Sequence, residues 1–219
     1  MKIKAFVSWS GGKEIALACY KIMQNQDVEI AYLLNMASED GKYSRSHGVS
    51  SKLLKLQAGA IGIPIIQKKT TWENYEEAFK KAVLELKKKG INTGVFGDID
   101  LQEHRDWIEK TCKSVGIKPI LPLWNKKREE ILKEFMQAGF KAIVVATGAD
   151  FLGVEWLGRQ INQKFIKDLK TMKNIDLCGE KGEYHTFVYD GPNFKKPAEF
   201  IPGEKILNNK HWFLKLKLK

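Results

Sequence analysis

The sequence predicts an α/β protein in which helices cover both faces of a parallel sheet and a small lobe of mixed helix and strand follows. Apolar segments of strand length alternate with longer amphipathic segments up to about residue 148, where the alternation stops. A connection between two parallel strands lays its helix over one face of the sheet, so sustained alternation is typical of this layered fold. We therefore predict one domain over residues 1–148 and a smaller lobe over residues 149–219.

The alternating part contains six candidate strands and five candidate helices. The strands are expected at residues 3–8, 28–35, 64–67, 94–97, 119–121 and 142–146. The helices are expected at residues 12–24, 49–61, 72–89, 101–115 and 126–138. Apolar residues recur at helical spacing in the third helix, with lysines on the other face: Tyr75, Phe79, Ala82, Val83 and Leu86. In such a fold, ligands bind at the carboxyl ends of the strands.

The C-terminal lobe shows a different pattern. One helix is expected at residues 158–170, and strands are expected at residues 184–189 and 212–218. In the last strand, apolar residues that begin with Trp212 alternate with lysines that begin with Lys215. This alternation predicts a half-buried antiparallel strand rather than a tail that binds nucleic acid.

The composition argues against several classes of protein. With 219 residues and 43% hydrophobic residues, the chain can close a buried core. Its longest stretch without Asp, Glu, Lys or Arg, residues 56–67, is shorter than the about 20 residues that a membrane helix needs. We expect a cytoplasmic protein without a signal peptide. Cys19, Cys112 and Cys178 lie far apart, which argues against disulfides and a structural zinc ion.

The chain is strongly basic, with 37 Lys and Arg against 26 Asp and Glu, a net charge of +11. An excess of this size favours polyanionic partners such as nucleotide phosphates, nucleic acid or an acidic protein, and it does not choose among them. The plainer interpretation is a solvated, lysine-rich surface.

The first chemical signal lies where the first strand meets the first helix. Ser8, Ser10, Gly11, Gly12, Lys13 and Glu14 occupy this junction. A helix start presents free backbone N–H groups and the positive end of the helix dipole, and glycines let a phosphate approach the main chain. The pattern is neither that of a dinucleotide fold nor a Walker loop. By itself it predicts either an anion site or an ordinary tight turn.

The second signal is a dense polar segment over residues 176–187. It brings together Gly179, Glu180, Gly182, Glu183 and His185 just before a predicted strand. Carboxylates and a histidine in a glycine-containing loop are suited to metal binding and to acid–base chemistry. The alternative is a charged surface loop.

Two further loops carry candidate binding residues. Asp98 follows a predicted strand and is suited to bind magnesium or a hydroxyl group, while Arg105 is suited to a phosphate or a carboxylate. A helix cap or a surface ion pair is the alternative for both. His47, in a loop after the second strand, is a binding candidate or a packing histidine.

Together these motifs resemble a known family. The Ser-Gly-Gly-Lys string at residues 10–13 is similar to the PP-loop of the N-type ATP pyrophosphatases, whose pattern is Ser-Gly-Gly-x-Asp-Ser. The wider set resembles the diphthine-ammonia ligase family, also called the diphthamide synthase or ATP-binding domain 4 family, from about residue 3 to residue 203. The motifs that carry this resemblance are Arg-Ser-His-Gly at 45–48, Gln-Ala at 57–58, Gly-Ile-Pro at 62–64, Gly-Asp-Ile at 97–99, Pro-Leu-Trp at 122–124 and Cys-Gly-Glu-Lys-Gly-Glu-Tyr-His-Thr at 178–186.

The resemblance implies a five-stranded parallel sheet of the adenine-nucleotide α-hydrolase type with a C-terminal lobe. It also implies an ATP-dependent ligase that amidates diphthine, a modified histidine of elongation factor 2, with ammonia as the nitrogen donor and AMP and pyrophosphate as products. The partners it implies are ATP, ammonium and elongation factor 2. A role in nucleic-acid binding ranks low, and a homodimer is left open.

This chemistry assigns hypothetical roles to the candidate residues. A carboxylate is a poor electrophile, and its conversion to an acyl-adenylate makes it reactive. Formation of the acyl-adenylate needs backbone N–H groups, a lysine and magnesium around the α phosphate. The expected catalytic residues are Lys13, Asp98, Glu180, Glu183 and His185. ATP is assigned to residues 8 and 10–14, and Mg²⁺ to Asp98 and Glu180. The expected substrate-binding residues are His47, Arg105, Gly179 and Gly182.

The chain departs from the PP-loop pattern at Glu14 and Ile15, which stand where the family has Asp and Ser. Isoleucine donates no hydrogen bond to phosphate, and the loss of one such donor costs about 1.5–3 kcal/mol. Two alternatives therefore stay open beside the diphthine ligase: an enzyme that adenylates a small carboxylic acid, and a nucleotide-binding module with weakened catalysis. RNA thiolation ranks lower because the usual catalytic cysteine pair is missing.

Overall fold

The computed structural model describes residues 2–45 and 47–219. The first sheet is parallel and has five strands in the order β3-β2-β1-β4-β5, as the family resemblance implies. Its strands are β1 Ile3–Ser8, β2 Val28–Ala37, β3 Ile65–Lys69, β4 Thr93–Val95 and β5 Lys118–Ile120. The helices that connect and follow them are α1 Lys13–Met23, α2 Ser51–Ile61, α3 Tyr75–Lys87, α4 Gln102–Val115 and α5 Arg128–Gln137.

Strand β1 shows why this sheet carries helices on both faces. Successive side chains of a strand point to opposite faces. Ala5 and Val7 accordingly belong to one buried cluster, while Phe6 belongs to the other. Apolar residues on both faces of the central strand are therefore the physical basis of the three-layer arrangement.

The strand order creates a crevice next to β1. The chain moves outward from β1 through β2 to β3 and then returns to place β4 on the other side of β1. The connections after β1 and β4 thus leave in opposite directions, and the carboxyl ends of these two strands flank the switch point. In open α/β sheets, this is the position at which ligands bind.

The sixth predicted strand does not belong to the parallel sheet. Strand β6, Lys141–Gly148, pairs antiparallel with β7, Tyr184–Asp190, and with β9, His211–Leu218. Its apolar run from residue 142 to residue 146 is buried on both faces, and such a run does not reveal the direction of its neighbours. The change of sheet lies between residues 120 and 141, while the domain boundary at residue 148 stays a prediction.

The C-terminal lobe contains one helix that is shorter than expected. Helix α6, Gln163–Lys170, begins five residues after the predicted start at residue 158. The segment before it bonds to β6 instead, since the amides of Gly158 and Ile161 donate to Val144 and Ala142. The Asn162 side chain then caps α6 by accepting from the Phe165 amide at 2.9 Å.

One strand was not predicted. Strand β8, Phe200–Asn208, contains Pro202 and Gly203, which argue against a strand in sequence. It is an edge strand in the order β7-β6-β9-β8, where proline is tolerated. Asn209 and Lys210, both with positive φ, form the two-residue turn to β9. In the described residues, no helix combines the length and the apolar character needed to cross a membrane.

Candidate functional site

A cavity of about 700 Å³ opens at the carboxyl ends of β1 and β4, at the switch point of the sheet. Its walls come from the β1–α1 junction, the loop after β4, the starts of α3 and α4, and the segment before β7. Most of the predicted site residues line it, namely Ser8, Ser10, Lys13, Glu14, His47, Asp98, Gly179, Glu180, Gly182 and His185. The structure therefore brings together loops that are up to about 170 residues apart in sequence.

We call residues 8–13 the first loop; it leads directly into α1. Gly11 has a φ of 85°, a left-handed conformation that favours glycine. The Gly11 carbonyl accepts from the buried Gln57 side chain at 3.1 Å and from the Val188 amide at 3.0 Å. The N-cap residue of α1, Gly12, has no side chain to cap the helix, so N–H groups of the first turn after that of Lys13 stay available for an anion.

Gly12 must be glycine for a different reason from Gly11. A Cβ at this position would lie 2.5 Å from His47 Cε1, which is too close for any side chain. The next residue, Lys13, donates its backbone N–H to Thr186 Oγ1 at 3.0 Å. The first loop is therefore fitted tightly against His47 and β7, although Gly11 and Gly12 do not themselves line the cavity.

The Lys13 ammonium is buried where the first loop meets the C-terminal lobe. It donates to the Cys178 carbonyl at 2.6 Å, lies 2.6 Å from Glu14 Oε1, and stands 4.3 Å from the centre of the Tyr184 ring. Burial lowers the pKa of Lys13, but the neighbouring Glu14, Tyr184 and Cys178 together more than offset this and raise the pKa above its ordinary value. Lys13 is therefore a fixed positive charge in the cavity wall.

Glu180 lies across the cavity from a group of negative charges. Burial, together with the Glu14 and Asp98 carboxylates, raises the pKa of Glu180 to about 7, although the Lys13 ammonium acts in the opposite direction. Asp98 Oδ1 is 3.1 Å from His104 Nδ1, and this hydrogen bond raises the pKa of His104. At neutral pH, Glu180 is thus able both to accept and to release a proton.

Two histidines form a neutral pair beside Lys13. The rings of His47 and His185 have centroids 4.5 Å apart. Burial lowers the pKa of His47 to about 4 and lowers that of His185 well below its usual range, with the Lys13 charge acting in the same direction. Both rings are uncharged at neutral pH and can donate or accept hydrogen bonds. Ser46, from the motif at residues 45–48, lies outside the described residues.

Besides Gly11 and Gly12, two predicted site residues do not line the cavity. Glu183 is completely buried outside the cavity, and its carboxylate accepts from the amides of Asp176 at 2.8 Å and Lys181 at 2.9 Å. Arg105 pairs with Glu109 at 2.6 Å on the surface of α4 and does not line the cavity. Spacing along a loop or helix did not reveal where these two side chains point.

The cavity also contains an aromatic wall that sequence reasoning missed. Trp72, Tyr75 and Trp107 line it, with ring centroids 5.9 Å apart for the first pair and 5.8 Å for the second. Tyr75 had been assigned to the buried stripe of α3. The exposed position of Trp72, at 64% of its maximum, is the signal in the structure that this surface is available for binding.

The described residues contain no group of three His, Cys, Asp or Glu side chains arranged to hold a metal ion. Asp98 and Glu180 nevertheless line one cavity and interact electrostatically. Mg²⁺ that accompanies a nucleotide is often held by only one or two carboxylates together with phosphate oxygens. These two residues fit that mode of binding, in which the ion arrives with its nucleotide.

A parallel sheet with a glycine-containing loop after β1, facing a cavity at the switch point, defines an α/β protein with helices on both faces of its sheet. A family model described as the diphthamide synthase N-terminal domain matches residues 2–119, and one described as the diphthamide synthase C-terminal domain matches residues 127–219. The chain therefore belongs to the diphthamide synthase family, as its motifs predicted.

Several curated proteins named diphthine–ammonia ligase are similar to this chain. The protein from Mus musculus is 24% identical over 95% of this chain and 86% of its own length. The protein from Bos taurus is 27% identical over the same shares of the two chains. The protein from Schizosaccharomyces pombe is 27% identical over 100% of this chain and 39% of its own length.

Proposed function

We propose that this protein is an ATP-dependent ligase that converts the carboxylate of diphthine on elongation factor 2 to an amide, with ammonia as the nitrogen donor. The observation that carries the proposal is the buried Lys13 ammonium at the switch point, held by Cys178 of the C-terminal lobe and adjoining the uncapped start of α1. Family membership and the names of the relatives support the same activity.

The first step is adenylation of the acceptor. A carboxylate oxygen attacks the α phosphorus of ATP, the bond to the bridging oxygen of the β phosphate breaks, and pyrophosphate leaves. Negative charge grows on the phosphate oxygens during this step, and fixed donors aimed at such charge stabilise the transition state. The amides at the start of α1 and the Lys13 ammonium supply these donors. Mg²⁺, bound with ATP near Asp98 and Glu180, would neutralise further phosphate charge.

The second step is attack by ammonia. Ammonium must first lose a proton, because its nitrogen has no free electron pair. Glu180 is the proposed acceptor of that proton when it holds no Mg²⁺, since burial and the nearby Glu14 and Asp98 carboxylates bring its pKa to about 7, in the range useful for a general base. Ammonia then attacks the acyl carbon, its nitrogen loses a further proton to water, the bond to the adenylyl oxygen breaks, and AMP leaves. The neutral His47 and His185 rings are proposed to orient the acceptor by hydrogen bonds.

The position of Glu14 favours the alternative of a nucleotide-binding module with weakened catalysis. Its carboxylate lies 2.6 Å from the Lys13 ammonium and so offsets part of the positive charge offered to phosphate. We keep catalysis as the main proposal because the Glu180 loop faces the same cavity. The outcome of the assay below distinguishes the two.

The test is AMP formation from ATP, Mg²⁺ and ammonium with elongation factor 2 that carries diphthine. We expect AMP in equal amount to amide, and no AMP with unmodified elongation factor 2 or without ammonium. AMP formed only with a small carboxylic acid would support the alternative acceptor class. ATP binding without AMP for any acceptor would support the module and contradict the ligase.

A further inference from the structure

Arg128, the first residue of α5, lies between two loops of the cavity. Its Nε donates to Asp176 Oδ2 at 2.9 Å, and its terminal nitrogens donate to both carboxylate oxygens of Asp100, one of them at 2.8 Å. Asp100 belongs to the loop after β4, and Asp176 begins the segment 176–183, which we call the second loop. One guanidinium therefore joins the two loops, and none of the roles proposed above uses it.

The contacts continue from Asp176 to Lys13. Asp176 Oδ1 accepts from the Cys178 amide at 2.8 Å, and the Cys178 carbonyl accepts from Lys13 Nζ at 2.6 Å. Cys178 Sγ also lies 3.7 Å from the Arg128 carbonyl. Arg128 is thus connected by two successive hydrogen bonds to the carbonyl that holds the Lys13 ammonium.

The terminal nitrogens of the Arg128 guanidinium bind the loop after β4, which forms another wall of the cavity. Asp100 is two residues from Asp98, which lines the cavity, and the residue between them is fixed by a bond from the Asn125 amide to the Ile99 carbonyl at 2.7 Å. Without Arg128, the Asp100 and Asp176 carboxylates would lose the cation that they share.

We propose that Arg128 is a positioning residue that fixes the loop carrying Asp98 against the loop carrying Glu180 and the Cys178 carbonyl. By doing so it sets the geometry in which Lys13, Asp98 and Glu180 act on bound substrates. This inference rests on the proposed ligase function. A misplacement of reacting groups by about 1 Å can cost on the order of a hundredfold in rate, so the effect should be large in kcat.

The test compares R128K with the matched control R159K. Arg159 also donates to an aspartate, Asp168 on α6, and its side chain is 26% exposed against 23% for Arg128. A lysine keeps the charge but has no planar guanidinium with which to bind two carboxylates at once. Both variants are assayed well below their melting temperatures, with AMP formation and ATP affinity measured separately.

We expect R128K to lower kcat at least tenfold, with the KM for ATP changed less than threefold, because Gln57 and Thr186 still support the first loop. R159K should keep kcat within twofold. The kcat of D100N, a variant that keeps Arg128 itself, should lie between the kcat of the wild type and that of R128K. A kcat for R128K equal to that of the wild type or of R159K would overturn the proposal.

Hydrogen exchange provides a readout that does not depend on activity. In R128K, the amides of residues 97–101 and 176–183 should exchange at least tenfold faster, and in R159K they should not change. Unchanged exchange in R128K would overturn the positioning role. If the wild type forms no AMP, the ligase function fails, while this comparison still decides whether Arg128 holds the two loops together.

Discussion

The two loops that meet at Lys13 are stabilised in different ways. The first loop receives its support from other parts of the molecule: Gln57, Val188 and Thr186 bind its backbone. The second loop receives bonds from Arg128 and Lys13 but is also stabilised by its own side chains. Within it, the Glu183 carboxylate accepts from the amides of Asp176 and Lys181.

This difference determines which polar residues remain available for chemistry. Where support comes from outside, the backbone N–H groups and Lys13 of the loop can face a ligand. Where a loop stabilises itself, one of its carboxylates is consumed, and only Glu180 of the two glutamates lines the cavity. A carboxylate in a conspicuous motif is thus as suited to hold a loop as to perform catalysis.

The largest expected effect is at Lys13, where the loops meet. K13M keeps the length of the side chain but removes the cation that lies 2.6 Å from Glu14, next to the predicted phosphate site. Loss of one such charge costs about 10²–10³ in kcat. We expect AMP formation to fall at least a hundredfold, measured by chromatography of the nucleotides.

The control for this prediction is K21M. Lys21 lies on the same helix and pairs with Glu134 at 2.7 Å, away from the cavity. It should keep the activity of the wild type. Equal losses in K13M and K21M would mean that the phenotype reports the stability of α1 and not the site.

The next largest effect is expected at Glu183. E183Q replaces one carboxylate oxygen with an NH₂ group that faces a backbone N–H, and a buried hydrogen bond to a charged group is worth about 1.5–3 kcal/mol. We expect a loss of about 2–4 kcal/mol in the free energy of unfolding, measured in urea. The exposed Glu204 provides the control, since E204Q should change stability by less than about 0.5 kcal/mol.

His47 supports the first loop through a side chain that must stay neutral. Its pKa is about 4 in the folded protein against about 6.5 when unfolded. The folded state therefore binds fewer protons, so this contribution is full above pH 6.5 and is lost as the pH falls to 4. H47Q should flatten the stability profile over this window by about 1–3 kcal/mol, measured by urea unfolding at each pH.

His104 provides a control of opposite sign. Its hydrogen bond to Asp98 raises its pKa, so its smaller contribution is present below pH 6.5 and is lost as the pH rises above that value. H104Q should leave the slope between pH 4 and 6.5 intact. A wild-type profile without that slope would contradict the neutral state assigned to His47.

The smallest expected effect concerns one hydrogen bond of the first loop. T186V removes the acceptor of the Lys13 amide and leaves this N–H unpaired, at a cost of about 1–2 kcal/mol. T186S keeps the hydroxyl and should restore most of the stability. If T186V had no effect on thermal unfolding, the first loop would not depend on the Thr186 hydroxyl for support.

The sequence predicted the parallel part of the fold more completely than the C-terminal lobe. Alternation of apolar strands and amphipathic helices is a local pattern, so β1 to β5 and their helices could be recognised. The direction of β6 depends on β7 and β9, which follow far along the chain. Strand β8 escaped because Pro202 and Gly203 are acceptable only at the edge position that it occupies.

Within the site, prediction succeeded where topology alone brings residues together. Lys13 and Asp98 follow adjacent strands, and the carboxyl ends of parallel strands lie at one edge of a sheet. Prediction of position failed for Glu183 because the orientation of a side chain in an irregular loop is set by hydrogen bonds with the backbone. The place of Trp107 in the cavity wall was not predicted, because the spacing of apolar residues along a helix does not show which aromatic rings face a cavity.

The proposed reaction requires the first loop to hold the phosphates of ATP at the switch point. The most direct measurement is a crystal structure with α,β-methylene ATP, which cannot be cleaved at the α phosphate. We predict phosphate oxygens within about 3 Å of Lys13 Nζ and of the amides at the start of α1. Phosphates bound away from this loop, with the cavity free of nucleotide, would contradict the account.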